Sequence, residues 1–308
     1  SSFETETDPG KRGSYFISNM RGKSWQARIG LTYSKTLSDN GSILTLNVGA
    51  NANKSNSNSN SFSGIGFLKG NLTDMAFANS YPTNGHPSGS ESLSSSVGVF
   101  GNLNIIFLNR YFVDGSYRVS GSSKFGKDRR FAPFWSVGIG WNAHNESFLS
   151  DLGWFDIFRI RGSVGYTGSV NFSDYQAITT YLYKQDNNYL ISMGALPITM
   201  GNDRLKWQTT VKYNVGATLE MWEGRLSANF DIYKEDTKDL LLSISTPPSM
   251  GVTNVMDNLG ETGNWGYEWS LSGLLIKSNQ LYWRMGLSGH HTENKLKKIS
   301  NSMKRQND

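Results

Sequence analysis

From Arg110 to Trp141 the chain reads RYFVDGSYRVSGSSKFGKDRRFAPFWSVGIGW, two alternating runs joined by a basic loop. Successive side chains of a strand point to opposite faces. Tyr111, Val113, Tyr117 and Val119 therefore share one face, and Arg110, Asp114, Ser116, Arg118 and Ser120 the other. After the loop Trp135, Val137, Ile139 and Trp141 resume the greasy face, while Ser136, Gly138, Gly140 and Asn142 resume the small, polar one. The pattern predicts a transmembrane β-hairpin with one face toward lipid and the other toward a wet interior.

The rest of the chain repeats this design. Trp25, Ala27, Ile29, Leu31 and Tyr33 alternate with polar residues over 24–35, and Asn40-Gly41 supplies the positive φ that a hairpin turn favours. Leu44 to Ala50 makes the next strand. The Ser/Asn-rich segment from Asn51 to about Ser94 reads as a long polar excursion with a short helix near 72–78. Val97 to Phe107 descends to a turn at Leu108-Asn109, and Phe158 to Thr167 ascends after a longer connection. A second long loop covers Gly168 to Asp203. Lys206 to Met221 is the cleanest strand, with Trp207, Val211, Tyr213, Val215, Ala217, Leu219 and Met221 on its apolar face. Glu223-Gly224 turns the chain into Leu226 to Ile232, a third long loop spans about Glu235 to Asn264, and two strands follow around a turn at Ser278-Asn279.

About ten strands result, with mostly tight turns alternating with long loops, as in an outer-membrane barrel. Alternation alone equally fits a soluble barrel with its greasy face inward. The strand lengths, the Trp and Tyr near strand ends and a polar face of Gly, Ser, Asn and Thr favour the membrane. Composition agrees: 37% of the residues are hydrophobic and no run of apolar residues could span a bilayer as a helix, but a spanning strand needs only about 9–11 residues, half of which may be polar. With no cysteine there is no disulfide framework and no thiolate chemistry. The net charge of +5 is modest, and the clearest basic cluster, Lys124, Lys127, Arg129 and Arg130, reads as a solvated loop or one resting on lipid phosphates. Without a broader basic stripe and a motif, nucleic acid is not an expected partner.

Little points to catalysis or a cofactor. His86 and His144 fall in loops, and His290 and His291 would point to opposite sides of a strand, so no metal ligand set forms. Gly138-Ile139-Gly140 lacks the third glycine and the helix of a dinucleotide site. Asp114, Asp231 and Glu268 share the polar face with Arg28, Arg118, Arg225 and Arg284, an arrangement that suggests interior salt bridges.

The stretches RYFVDGSYRVSGSSKFGKDRRFAPFWSVGIGWNAHNESFL, RIRGSVGYTGSVNFSDYQA, LKWQTTVKYNVGATLE, RLSANFDIYKEDTKDLLL and NLGETGNWGYEWSL, in that order, closely resemble the SusC/RagA family of TonB-dependent outer-membrane transporters of Bacteroidetes. The resemblance runs from about Trp25 onward. It implies an all-β fold, a 22-stranded barrel with an N-terminal plug, of which residues 1–308 form a middle segment without plug, TonB box or closing C-terminal strands. It also implies outer-membrane lipid as surroundings, the remainder of the same barrel, a SusD-like lipoprotein and TonB as partners, and oligosaccharides or peptides as substrates. The alternative function is a surface-binding or adhesive barrel without energised transport. Candidate substrate contacts are the polar-face residues Asp114, Arg118, Arg225, Asp231, Glu268 and Arg284. Loop aromatics able to stack on sugar rings or pack against one another are the further candidates: Tyr81, Phe172, Tyr175 and Tyr181, with Phe62, Phe67, Tyr183 and Tyr189.

Overall fold

A computed structural model describes residues 8–67, 71, 74–82, 85–170, 173–189, 192–278 and 280–298. Twelve strands are present among them: β1 (Ser14–Ser38), β2 (Ser42–Ile65), β3 (Ser88–Phe107), β4 (Tyr111–Ser122), β5 (Phe131–Asn142), β6 (Phe155–Ser169), β7 (Thr180–Tyr189), β8 (Ser192–Thr199), β9 (Gln208–Met221), β10 (Leu226–Ser245), β11 (Asn254–Lys277) and β12 (Tyr282–Lys298). Ten form one sheet in the order β1-β2-β3-β4-β5-β6-β9-β10-β11-β12, while β7 and β8 pair as a separate hairpin. From β3 to β12 the ladders of this sheet are antiparallel. Among the described residues β12 does not return to β1. No described helix is long and apolar enough to cross a membrane.

The chain divides into two compact units, Ser1–Ala27 with Asn53–Ser95, and Arg28–Ala52 with Ser96–Asp308. In the first unit the polar run NANKSNSNSNSFSG is strand, not loop: β2 continues to Ile65 and β3 begins at Ser88. Its side chains make the pairing themselves. Ser59 meets Ser90 and Ser61 meets Ser88, both at 2.8 Å, so cross-strand hydroxyl bonds stand in for apolar contacts. Of the helix expected near 72–78, Leu72 and Thr73 lie outside the described residues, and the remainder forms a 3-10 turn at Met75–Phe77 capped by Asp74.

In the second unit the tight connections cluster between sequential strands. Leu108 and Asn109 both adopt φ near +54°, and the Arg110 N–H donates to the Phe107 carbonyl, closing a hairpin turn of the type that matches strand twist. Glu223 at +57° and Gly224 at +71° repeat it, with the Arg225 N–H donating to the Trp222 carbonyl. The connections are stitched laterally: the Asn109 carbonyl accepts from Asn142 and Asn145, and the Gly224 N–H donates to Asp156. The other two long loops are also shorter than the sequence suggests. Within Gly168 to Asp203 lies the β7–β8 hairpin, and most of Glu235 to Asn264 is strand, because β10 and β11 stay paired through a bulge at Asp239.

The two faces are now distinguishable. Leu31 is 72% exposed, Ile139 61% and Val215 55%, and many other large apolar residues of the same parity are exposed with them. A soluble barrel would bury this face. So large an exposed apolar surface marks contact with a nonaqueous partner, which disposes of the inward-greasy alternative.

Candidate functional site

The opposite, polar face carries the candidate residues. Here hydroxyl and amide pairs bridge neighbouring strands: Asn47 to Thr32 at 2.8 Å, Ser116 to Ser136 at 2.7 Å and Thr210 to Thr237 at 3.0 Å. Such a wall is wettable, because these hydroxyl and amide groups bond sideways and keep capacity for water.

Asp231 is held by an arginine that is not among the sequence candidates. Arg161 of β6 reaches both Asp231 oxygens of β10, at 2.7 and 2.6 Å, and donates to Thr218 at 3.0 Å. Register aligns Arg161, Gly216 and Asp231 across three strands. A Cβ on Gly216 would lie 2.3 Å from the Asp231 carboxylate, so the missing side chain lets the pair form over β9. Both contacts come from one nitrogen, Nη2, so the pair is a charge-assisted hydrogen bond shared by two carboxylate oxygens rather than a two-nitrogen fork. Glu268 lies opposite Asp231 and, on its other side, opposite His290; a cleft of about 380 Å³ is lined by Asn229, Asp231, Glu268, Ser270, Ser288 and His290.

The remaining polar-face candidates are spread out. Asp114 accepts from Asn104 at 2.6 Å and pairs in register with Gly138. Arg225 and Arg284 sit at the tight-turn end, where the Arg284 guanidinium lies 3.5 Å from the Gly224 carbonyl. Arg118 joins no carboxylate among the described residues; it lies over the Phe100 ring and donates to Asn51 and Ser120. Of the charges expected to pair with one another, the structure brings none of the four arginines onto the three carboxylates. The reason is register: Arg161, not those arginines, shares a cross-strand row with a carboxylate. Gly140 has a packing role, since a Cβ there would collide with the Phe112 ring at 1.8 Å. His290 and His291 do face oppositely, with His291 stacked on Tyr267 at 5.5 Å.

The basic loop between β4 and β5 turns partly inward. Phe125 is 1% exposed and packs on Trp207 with ring centroids 4.5 Å apart, and Trp207 meets Phe134 edge-on at 5.2 Å. Lys124 pairs with Asp174 at 3.1 Å, leaving Lys127, Arg129 and Arg130 exposed. Trp207 thus corrects its sequence placement. It precedes β9 and joins Phe134, on the face opposite Trp135, because its indole N–H donates to the Arg130 carbonyl at 3.2 Å. A Cβ on Gly126 would sit 1.7 Å from the Asp203 carbonyl, so only glycine lets this loop close on the segment bearing buried Leu205.

Loop aromatics divide as well. Phe67 is buried against Tyr15, Tyr175 is half-buried with a left-handed backbone, and Tyr81, Tyr181 and Tyr183 are exposed. Phe172 lies outside the described residues.

A family model described as TonB dependent receptor-like, beta-barrel, matches residues 4–302. The chain belongs to this family. TonB-dependent receptor SusC of Bacteroides thetaiotaomicron is 31% identical over 211 residues, 66% of this chain and 21% of the relative, and TonB-dependent receptor P3 of Formosa agariphila is 31% identical over 205 residues, 66% and 20%. A solved structure of the RagAB peptide transporter superposes with a TM-score of 0.85 at 23% identity, covering 93% of this chain and 32% of that one. The resemblance to SusC/RagA proteins holds, and with it the fold, a partial TonB-dependent receptor barrel located in the outer membrane. This chain spans about a fifth of the length of these curated relatives. In the TonB-dependent receptor barrel the exposed apolar face meets lipid and the polar face lines the lumen.

Proposed function

We propose that the full-length protein imports a bulky nutrient across the outer membrane, energised through TonB, and that this chain supplies a sector of barrel wall with its outer loops. The observation that carries the reading is the family match across residues 4–302. The likeness to SusC and to a peptide transporter supports an oligosaccharide or peptide as the solute and a SusD-like lipoprotein as the partner. Asp114, Arg118, Arg225, Asp231, Glu268 and Arg284 lie on the lumenal wall, and the Glu268 cleft has the hydroxyl, amide and carboxylate acceptors that a sugar or peptide would use. Tyr81, Tyr175 and Tyr181 are the aromatic contacts proposed for the loops. The sides of β1 and β12 that pair with no strand among the described residues join the remainder of the same barrel, and the plug and TonB box belong to that remainder.

The test separates binding from transport. Cells carrying the full-length protein are given labelled oligosaccharide and peptide pools with and without a protonophore. Energised import predicts that surface binding persists while internalised label falls at least tenfold. Surface binding with no protonophore-sensitive internalisation would instead establish an adhesive barrel.

A further inference from the structure

Some cations of the lumenal wall are neutralised by carboxylates. Arg161 meets Asp231 at 2.6 Å, Lys206 meets Asp239 at 2.8 Å and Lys212 meets Glu235 at 2.7 Å. Arg28 and Arg118, like Arg159, Arg225 and Arg284, have no carboxylate partner among the described residues, and they differ from those three in sharing one ring. Both guanidinium groups stand over one phenyl ring, that of Phe100, at 5.3 and 5.9 Å from its centroid. On β4 the nearest carboxylate of the same face, Asp114, is four residues away, about 13 Å along a strand, and is occupied by Asn104.

The arrangement is built into the sheet. Phe100 is 8% exposed, and a Cβ on Gly49 would lie 2.6 Å from its ring, so the ring fits only because residue 49 is glycine. A Cβ on Gly98 would lie 2.6 Å from the Arg118 guanidinium. The plane of Arg118 is then set by two neutral acceptors, Ser120 Oγ at 2.6 Å and Asn51 Oδ1 at 2.7 Å, while its Nη1 hydrogens have no protein acceptor among the described residues. Two like charges about one ring repel. The ring's negative face offsets part of that repulsion and consumes no N–H donors, so with Nε and Nη2 engaged Arg118 keeps its Nη1 hydrogens for an oxyanion oxygen.

We propose that Arg28 and Arg118, arranged about Phe100, form a lumenal binding site for an oxyanion, a carboxylate or a sulfate. Its bearer is either a transported solute or an acidic side chain of the protein's own lumenal part. The proposal rests on the barrel reading for the location of the site, and its test measures binding without using uptake.

Purified full-length protein is titrated calorimetrically with citrate, with inorganic sulfate and with neutral sucrose, alongside Arg28→Gln, Arg118→Gln and Arg118→Lys. A solute site predicts saturable citrate binding, no sucrose signal, at least tenfold weaker citrate binding in each Gln variant, and partial recovery with lysine. A site filled by the protein's own carboxylate predicts no citrate binding to the wild type, with a lowered Tm and new protease cleavage in the Gln variants that Arg118→Lys partly reverses. Should Arg118→Gln fail to fold, Arg28→Gln carries the test, because that side chain is exposed and makes no hydrogen bond among the described residues. Citrate binding unmoved by either Gln substitution overturns the proposal, as does its absence together with unchanged Tm and proteolysis.

Discussion

Gly216 matters for what it lacks. Without a side chain there, Arg161 and Asp231 meet across a strand that separates them, and with one the carboxylate would be displaced. Its neighbour Val215 points the other way and is 55% exposed, while Asn214 shares the face of Gly216. The two positions therefore test the face assignment at single-residue resolution. Arginine on the lipid face near mid-membrane costs about 2–4 kcal/mol, whereas arginine on the lumenal face stays solvated. Val215→Arg is expected to lower the amount of folded full-length protein in the outer membrane, and Asn214→Arg to leave it near normal, as read by heat-modifiable mobility on a gel. Equal tolerance, or the reverse order, would show the faces to be exchanged.

At the scale of elements, the strands outrun the membrane. β2 has 24 residues, β10 20 and β11 24, against about 9–11 needed to cross. The surplus continues as paired ladder closed by polar side chains. At the opposite end the tight connections are tied by Glu146, which accepts from the Tyr111 hydroxyl at 2.7 Å and the Trp141 indole at 3.2 Å and pairs with Arg110 at 3.0 Å. These donors, the Tyr111 hydroxyl foremost, hold its carboxyl below the usual carboxylate range. A depressed folded pKa makes this contribution fully present above the unfolded value of 4.5 and lost as pH falls through the lower folded one. The Tm of wild-type full-length protein should thus drop more steeply than that of Glu146→Gln as the pH falls below about 4.5, and the two curves should converge in acid. Parallel curves would remove Glu146 from the stabilising set.

For the whole molecule the governing fact is that the sheet has two ends, β1 and β12, which do not pair with each other among the described residues. An unsatisfied backbone group in hydrocarbon costs several kcal/mol, so a row of them along a lipid-facing edge is prohibitive. Residues 1–308 expressed alone are therefore expected to yield no heat-modifiable, membrane-inserted species, whereas the full-length protein yields one. Stable insertion of the isolated chain would mean that β12 closes on β1.

Much of this was legible because a strand's period is two and a bilayer rewards a strict alternation: the ten main strands, the tight turns at Leu108-Asn109 and Glu223-Gly224 and the opposite faces of Val215 and Asn214 all follow from local pattern, while Asn279 of the turn expected at Ser278-Asn279 lies outside the described residues. Family motifs carried the barrel type. What local pattern missed depends on partners distant in sequence. NANKSNSNSNSFSG carries no apolar alternation, so only the serines of β3 reveal it as strand. Trp207 has lipid-face parity, yet Phe125 and Phe134 draw it to the other side. Arg161 rather than Arg225 holds Asp231, and Arg118 faces Phe100 rather than a carboxylate, because cross-strand register decides which side chains on a common face meet. The amino-acid sequence alone determined which face each strand residue takes; the neighbour it finds there was decided by the tertiary structure, since alternation constrains direction but not register.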